Sequence, residues 1–330
     1  MRPVLGITIG DPAGIGPEVI VKALARPGVR RLCCPLVIGS AEVLAKTIRR
    51  LRAPVKVCRV QAADLPCSGK AIPVLDPLTH PLPAFALGRI SKETGEAQAR
   101  YVQEAVRLAL AKNIAGIVTG PINKEAINLA GYPYPGHTEF LAALTGAKEV
   151  GMMIVGGPLR FMFTTTHLAM KDLTSRLTIE AVERAIRLCH QGLTQLFRIK
   201  RPGIAVAALN PHGGEGGLFG TEEIDVIAPG IARAKELGCP AHGPFPADTL
   251  IGQAARGAYD AVVVMYHDQG LIPLKLAAFG KSVNTTVGLP IIRTSVDHGT
   301  AYDIAGKGIA DEGSLVEAIR LAAQFAVRRL

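Results

Sequence analysis

Tryptophan is absent from this chain of 330 residues, and aromatic side chains make up 5% of it. No aromatic-rich RNA-binding motif, helix-turn-helix signature or zinc-finger spacing occurs, so nucleic acid is not an expected partner. The net charge of +10 does not change this, because the basic residues are scattered and the clusters Arg30-Arg31, Arg49-Arg50 and Arg328-Arg329 are short. Small anionic ligands remain the expected use of that charge. No CxxC pair occurs among Cys33, Cys34, Cys58, Cys67, Cys189 and Cys239, which argues against a zinc ribbon or a thioredoxin-like site. A chain of this length needs no disulfide staples, so free thiols in a reducing cytosol are expected. Long apolar runs are missing too. The run 4–9 is far too short for a signal segment or a membrane span, and no later run reaches that length without charges or turn residues. A cytoplasmic protein with no membrane partner is expected. The GxGxxG pattern is also absent, which leaves a standard Rossmann site unsupported.

Apolar residues make up 48% and charged residues 19% of the chain, a balance that excludes disorder. The length suggests about two domains. Short β-rich runs at 4–9, 35–38, 116–119, 160–165, 204–209 and 261–265 alternate with longer helical patterns. That alternation points to an α/β protein with a largely parallel sheet. The runs are continuously apolar, as strands covered on both faces should be. A helix is expected over 178–197, with Ile179, Val182, Ile186, Cys189, Leu193 and Leu196 on one face and Thr178 as its N-cap. Others are expected over 95–111, over 314–329 and from near Thr221, whose hydroxyl could cap a first turn carrying Glu222 and Glu223.

Several of these strands run straight into a polar cluster. Ile9 leads to Gly10-Asp11-Pro12, and Thr119 to Gly120-Pro121-Ile122-Asn123-Lys124. Phe163 leads to Thr164-Thr165-Thr166-His167, Ala208 to Leu209-Asn210-Pro211-His212, and Val264 to Met265-Tyr266-His267-Asp268. Ligands of open parallel sheets bind beyond the carboxyl ends of the strands, so these clusters should converge on that rim. His167, His212 and His267 all lie there. Neutral imidazoles meeting at one rim could hold a divalent ion and leave positions open for substrate. An ion on a substrate hydroxyl would lower the cost of alkoxide development before a hydride leaves. His80 and His242, set among prolines, and His190, inside a helical pattern, read as structural.

Other motifs read as ligand-facing. GDPAGIGPE (10–18) follows the first strand and opens a helix; its glycines permit close approach to a phosphate or cofactor. Pro135-Gly136-His137-Thr138-Glu139 places an imidazole and a hydroxyl ahead of a helical pattern, where they suit a carboxylate or phosphate. Lys275, Asn284 and Arg293 bring two cations and an amide into one stretch; Arg grips a phosphate bidentately, and Lys serves as a point charge or an acid/base group. The run from Asp297 to Gly308 is polar and glycine-rich, and reads as a ligand loop.

These motifs carry a resemblance. GDPAGIGPE (10–18), PINKEA (121–126), PGHTEFLA (135–142), TTTHL (164–168), LNPHGGEGG (209–217), GTEE (220–223), PADTL (246–250), YHDQGLIPLK (266–275) and GLPIIRTSVDHGTAYDIAGKG (288–308) span nearly the whole chain. The chain resembles the 4-hydroxythreonine-4-phosphate dehydrogenase family of pyridoxal phosphate biosynthesis. GDPAGIGPE and HGTAYDIAGKG also look like the isocitrate and isopropylmalate dehydrogenase superfamily. The departures are Thr285-Thr286-Val287, where an Ile-Thr-Leu type of run is usual, and Gly213, where Ala is common. Neither removes a ligand.

The resemblance implies an isopropylmalate-dehydrogenase-like subunit of two α/β/α domains with a cleft between them. The expected boundaries are 1–130 with 285–330 for the first, which carries the cofactor loop, and 131–284 for the second, which carries the metal and substrate site and the dimer interface. It implies a homodimer in which His167, His212 and His267 bind one divalent ion (Zn, Mg or Co), one histidine coming from the other subunit. His137, Thr138, Lys275, Asn284 and Arg293 are implied to hold the substrate's phosphate and carboxylate ends. Gly14 and the loop Asp297, His298, Gly299 and Thr300 are implied to take NAD or NADP. The implied reaction is oxidation of 4-phosphooxy-L-threonine at C3 to 2-amino-3-oxo-4-phosphooxybutanoate, followed by decarboxylation to 3-amino-2-oxopropyl phosphate. Lys275, Asp248 and Asp268 are the candidates for proton transfer. A sister group acting on 4-phosphothreonate or 4-phosphoerythronate shares nearly all of these motifs. A phosphate acyltransferase of the same fold would use neither nicotinamide nor the three-histidine metal. A basic nucleic-acid binder would instead show affinity that falls steeply with salt.

Overall fold

The computed structural model describes residues 2–61 and 71–329. The strands are β1 Val4–Thr8, β2 Cys34–Ile38, β3 Lys56–Arg59, β4 Ala71–Leu75, β5 Gly116–Thr119, β6 Gly151–Gly156, β7 Leu159–Phe163, β8 Ile204–Ala207, β9 His242–Phe245, β10 Ala261–Val264, β11 Val283–Val287 and β12 Arg293–Val296. The chain divides into two compact units, Met1–Lys148 with Leu289–Leu330, and Glu149–Gly288. The helix His137–Thr145 therefore belongs to the first unit, with His137 and Thr138.

In the first unit the strand order is β3-β4-β2-β1-β5-β12, and every pairing is parallel. β1, β2 and β5 are buried from end to end apart from Val4, as expected of apolar runs covered on both faces. The helix Lys92–Leu110 starts three residues before the expected 95, because Ser91 is the cap and its hydroxyl accepts from Thr94 N. Gly95 inside it lies against the helix Lys124–Leu129, where a Cβ would stand 1.9 Å from the Ala126 carbonyl oxygen. Helix Gly313–Arg329 closes the chain at the expected place, with Ala318, Ile319 and Phe325 fully buried.

In the second unit the order is β11-β6-β7-β10-β8-β9. β7, β10, β8 and β9 are mutually parallel, whereas β6 runs against both β7 and β11. The β6–β7 connection is Gly157-Pro158, with Gly157 at φ +55, so a tight hairpin replaces a helical crossover here. Phe161, Phe163, Val262, Val264, Ala205 and Ala207 form the core of this unit with Ile154, Leu250 and Leu274. Helix Ile179–Gln195 is capped by Thr178 Oγ1, which accepts from Ala181 N at 3.2 Å, a bond worth about 1 kcal/mol. The element expected near Thr221 differs in detail. A π-helical turn, Glu223–Ile227, leads into helix Ala228–Glu236, and the Thr221 carbonyl, not its hydroxyl, accepts from Ile224 N and Asp225 N.

Cys33, Cys58, Cys189 and Cys239 are free thiols, and burial pushes the Cys33 thiol up to about 12. Cys34 departs from the expectation, because it is disulfide-bonded. Cys67 lies outside the described residues. Among the described residues no helix is long and apolar enough to cross a membrane.

Candidate active site

The parallel order β7-β10-β8 puts three histidine-bearing loops side by side at one edge of the second unit. His167 follows β7, His267 follows β10 and His212 follows β8. The rings of His167 and His267 lie 5.7 Å apart between centroids. A cavity of about 290 Å³ opens on this pair, lined also by Thr165, Thr166, Tyr266 and Asp268. His267 Nδ1 is 2.6 Å from Asp268 Oδ1. A carboxylate on one ring nitrogen fixes the tautomer and leaves Nε2 as the ligating atom, the usual arrangement behind a metal-binding imidazole.

His212 stands on an unusual piece of backbone. His212, Gly213, Gly214, Glu215 and Gly216 all have φ between +46 and +79. Such a left-handed run costs a non-glycine residue energy, so something must hold it. Glu223 is the brace. It is 4% exposed, and its Oε1 accepts from Leu209 N and Asn210 N, both at 2.8 Å, while Oε2 accepts from Asn210 Nδ2. Burial pushes its pKa up, but the bonds from Asn210 and Leu209 outweigh this and hold it below the ordinary carboxylate range. Gly214 packs so close that a Cβ would stand 2.8 Å from Glu223 Oε2.

Imidazole donors with an oriented second nitrogen suit a borderline divalent ion, so the residues present fit the implied metal. Within this chain the set is not closed: among the described residues no group of three His, Cys, Asp or Glu side chains is placed to hold an ion. The structure brings His167 and His267 together and leaves His212 outside that pair. Lys275, on helix His267–Ala278, and Asp248, on helix Ala247–Ala255 behind β9, are both exposed. Asp248 Oδ1 accepts from Thr249 N. Asn284, on β11, buries its Oδ1 with no hydrogen-bond partner.

The first unit holds the remaining anion-binding candidates. Arg293, on β12, is 2% exposed, and its Nε and Nη2 donate to Thr119 Oγ1 at the end of β5 at 3.2 and 2.9 Å. Burial pulls its pKa down to about 9; a cation held out of water is one that a bound anion stabilises. His137 and Thr138 begin helix His137–Thr145, whose first turn offers unsatisfied backbone N–H groups. His137 Nε2 is buried without a hydrogen-bond partner. Burial first, then the charges of Arg293 and Lys124, hold its pKa well below the ordinary value, so the ring is neutral at pH 7.

The cofactor candidates are also in this unit. Gly14 N donates to the Asp11 carbonyl, and Ile15 N donates to the Thr300 carbonyl at 3.0 Å. A Cβ on Gly14 would stand 2.8 Å from Thr300 O and 2.9 Å from its Cβ, so only glycine allows the two loops to close on each other. Tyr302 donates to Asp11 Oδ2 at 2.5 Å, and burial raises the Asp11 pKa despite that bond. His298 Nδ1 lies 3.0 Å from the Gly299 carbonyl, and its Nε2 is buried without a hydrogen-bond partner. Asp297 N donates to Ser314 Oγ. A cavity of about 340 Å³ abuts Gly14 and Gly306, with Lys46 and Arg50 on its wall.

Sequence reasoning did not single out Thr119, Glu223, Gln269 or the Asp11–Tyr302 pair. All but Thr119, which ends the strand ahead of PINKEA, sit inside a motif already quoted, and the available signal was a polar residue able to be buried close to a ligand candidate.

The chain matches the family model described as pyridoxal phosphate biosynthetic protein PdxA over residues 31–322. It is 48% identical over 326 residues to the 4-hydroxythreonine-4-phosphate dehydrogenase of Geobacter metallireducens, covering 98% of this chain and 96% of that one. It is 47% identical over 329 residues to the D-threonate 4-phosphate dehydrogenase of Cupriavidus necator, covering 99% and 98%. The crystal structure of 4-hydroxythreonine-4-phosphate dehydrogenase from Klebsiella pneumoniae superposes with a TM-score of 0.90 at 40% identity, covering 98% of this chain and all of that one.

Proposed function

Because this chain belongs to the PdxA family of pyridoxal phosphate biosynthetic proteins, we propose that it is an NAD(P)-linked, metal-dependent dehydrogenase of 4-phosphooxy-L-threonine. The product of oxidation at C3 is 2-amino-3-oxo-4-phosphooxybutanoate, a β-keto acid that loses carbon dioxide to give 3-amino-2-oxopropyl phosphate. The observation that carries the reading is the pair His167–His267 on adjacent strand ends, with one imidazole already oriented by Asp268.

A divalent ion (Zn, Mg or Co) at His167, His212 and His267 would supply Lewis acidity at the C3 oxygen, and the nicotinamide would take the hydride. The remaining roles fall to side chains of this protein. Arg293, His137 and Thr138 bind the anionic ends of the substrate, Arg293 as a desolvated cation and His137 as a neutral donor. The unpartnered Asn284 Oδ1 accepts from a substrate N–H or O–H. Lys275 moves the proton at the C3 oxygen, with Asp248 as its alternative; Asp268 is committed to His267. Gly14 and the loop 297–300 seat the cofactor, NAD or NADP.

The protein acts as a homodimer with a shared site, in the cytoplasm. Ile272, Leu276 and Phe279 lie at helical spacing along one face and are 58%, 84% and 83% exposed. Leu218 and Phe219, six and seven residues after His212, and Met170, which lines the cavity at His167, are also exposed. Large apolar side chains left in water around all three histidine loops fit burial against a second copy.

A second reading, oxidation of D-threonate 4-phosphate, is favoured by one observation, the relative from Cupriavidus necator. The test of the shared chemistry is direct. Protein given 4-phosphooxy-L-threonine and NAD or NADP should raise the reduced-nicotinamide absorbance and release carbon dioxide in equal amount. A strong chelator should stop both, and added divalent metal should restore them. Turnover indifferent to chelator would remove the metal, and no reduced cofactor with any of the phosphorylated acids would remove the dehydrogenase.

A further inference from the structure

We propose that Gln269 is a positioning residue that holds the strand ends from which the His267 and His212 loops leave, and through them the imidazoles that bind the metal; this rests on the metal reading above. β10 and β8 pair in register up to Val263 opposite Val206. Two residues further, Met265 stands where it would face Ala208, but the ladder no longer closes there. The Gln269 side chain fills the gap. Its Oε1 accepts from Met265 N at 2.7 Å, and its Nε2 donates to the Ala208 carbonyl at 2.7 Å. The amide thus acts as an inserted peptide group. It lets the strands part by its own width while leaving both main-chain groups satisfied.

The position of this bridge ties it to the histidines. Gln269 is 8% exposed and lies in the first turn of helix His267–Ala278. Met265 precedes His267 by two residues, and Ala208 precedes His212 by four. Met265 is held on its other side as well, since Thr165 Oγ1 and Thr165 N both donate to its carbonyl, at 2.7 and 3.2 Å. Thr165 is two residues before His167. One chain of buried hydrogen bonds, Thr165 to Met265 to Gln269 to Ala208, therefore fixes the roots of all three loops, and Glu223 continues it through Leu209 and Asn210. Gln269 is the member that needs both a donor and an acceptor at a set length. A carboxylate of the same shape accepts but cannot donate, and a thioether does neither well.

The experiment is Zn²⁺ binding to the full-length, metal-stripped protein, measured by competition with a chromogenic chelator. The proteins compared are wild type, Gln269→Glu, Gln269→Met and Ile154→Val. Ile154 is a core residue of the same unit that takes no part in these hydrogen bonds, and its variant reports what general loosening does. Expected is a loss of Zn²⁺ affinity of about tenfold or more in both Gln269 variants, the size seen when groups behind metal ligands are removed. Ile154→Val should bind as wild type does. Should Gln269→Glu fail to fold by circular dichroism, the uncharged Gln269→Met carries the comparison. Gln269 variants that bind Zn²⁺ as tightly as wild type overturn the inference alone. A wild-type protein that binds no ion overturns the metal reading and this inference with it.

Discussion

His167 and His267 face each other across 5.7 Å from loops that leave the adjacent parallel strands β7 and β10. That relationship follows from strand order, since parallel neighbours deliver their following loops to the same edge. It predicts that His167→Ala and His267→Ala lose bound metal and activity together, while Asp268→Asn keeps the metal but holds it about tenfold to a hundredfold less tightly. Metal content by mass spectrometry beside steady-state rates checks both. Full metal occupancy in His267→Ala would contradict the assignment.

Arg293 should prove intolerant of lysine. Its planar fork reaches Thr119 Oγ1 through two nitrogens, a geometry one ammonium cannot copy. Arg293→Lys is expected to raise KM for the phosphorylated substrate by at least about tenfold, the equivalent of roughly 1.4 kcal/mol of binding, with metal content unchanged. A KM equal to that of wild type would show that the buried guanidinium does not meet the substrate.

The depressed pKa of His137 makes a prediction about pH. Below the unfolded value of about 6.5, the unfolded chain binds a proton that the folded ring refuses, so the unfolded state carries more protons. Stability from this group is therefore present above that pH and declines as pH falls through it. Denaturant midpoints between pH 7 and pH 5 should fall more steeply for wild type than for His137→Asn. Parallel curves would mean the ring protonates freely.

Gly14→Ala places a methyl group against the Thr300 main chain. The expected outcome is a raised KM for NAD or NADP with Zn²⁺ affinity unaltered, because loop 297–300 shifts while the histidine loops lie in the other unit. A Zn²⁺ affinity that falls along with cofactor binding would contradict that separation.

Wild type is expected to sediment as a dimer, and Leu276→Glu, on the most exposed residue of the apolar stripe, as a monomer without turnover. An active monomer would overturn the shared site.

How much of this was legible in the sequence depends on what each strand buries. β1, β5 and β10 bury continuous apolar runs and were readable at once. β11 and β12 were not, because most of their buried residues are polar: Thr285, Thr286, Arg293, Thr294 and Ser295, beside Val283, Val287 and Val296. Hydroxyls there bond across the fold, as Thr294 Oγ1 does to the Ala318 carbonyl and Ser295 Oγ to the Thr119 carbonyl. Composition cannot tell such a strand from a polar loop. β6 was missed although 152–155 is an apolar run, because only Gly157-Pro158 separates it from β7 and no helix marks where one strand ends and the next begins. The same limit applies at the site. His167, His212 and His267 stood out, being ligand types at strand ends. Glu223 and Gln269 did not, because a residue that holds the main chain of its neighbours has no spacing rule to betray it. Glu223 even read as an ordinary first-turn acid.

The most direct test of the account is the ratio of kcat/KM for 4-phosphooxy-L-threonine to that for D-threonate 4-phosphate, measured on the metal-loaded protein with NAD and with NADP. The account predicts a ratio well above one with at least one of the two cofactors. A ratio well below one with both would contradict it and assign the protein to the oxidation of phosphorylated sugar acids.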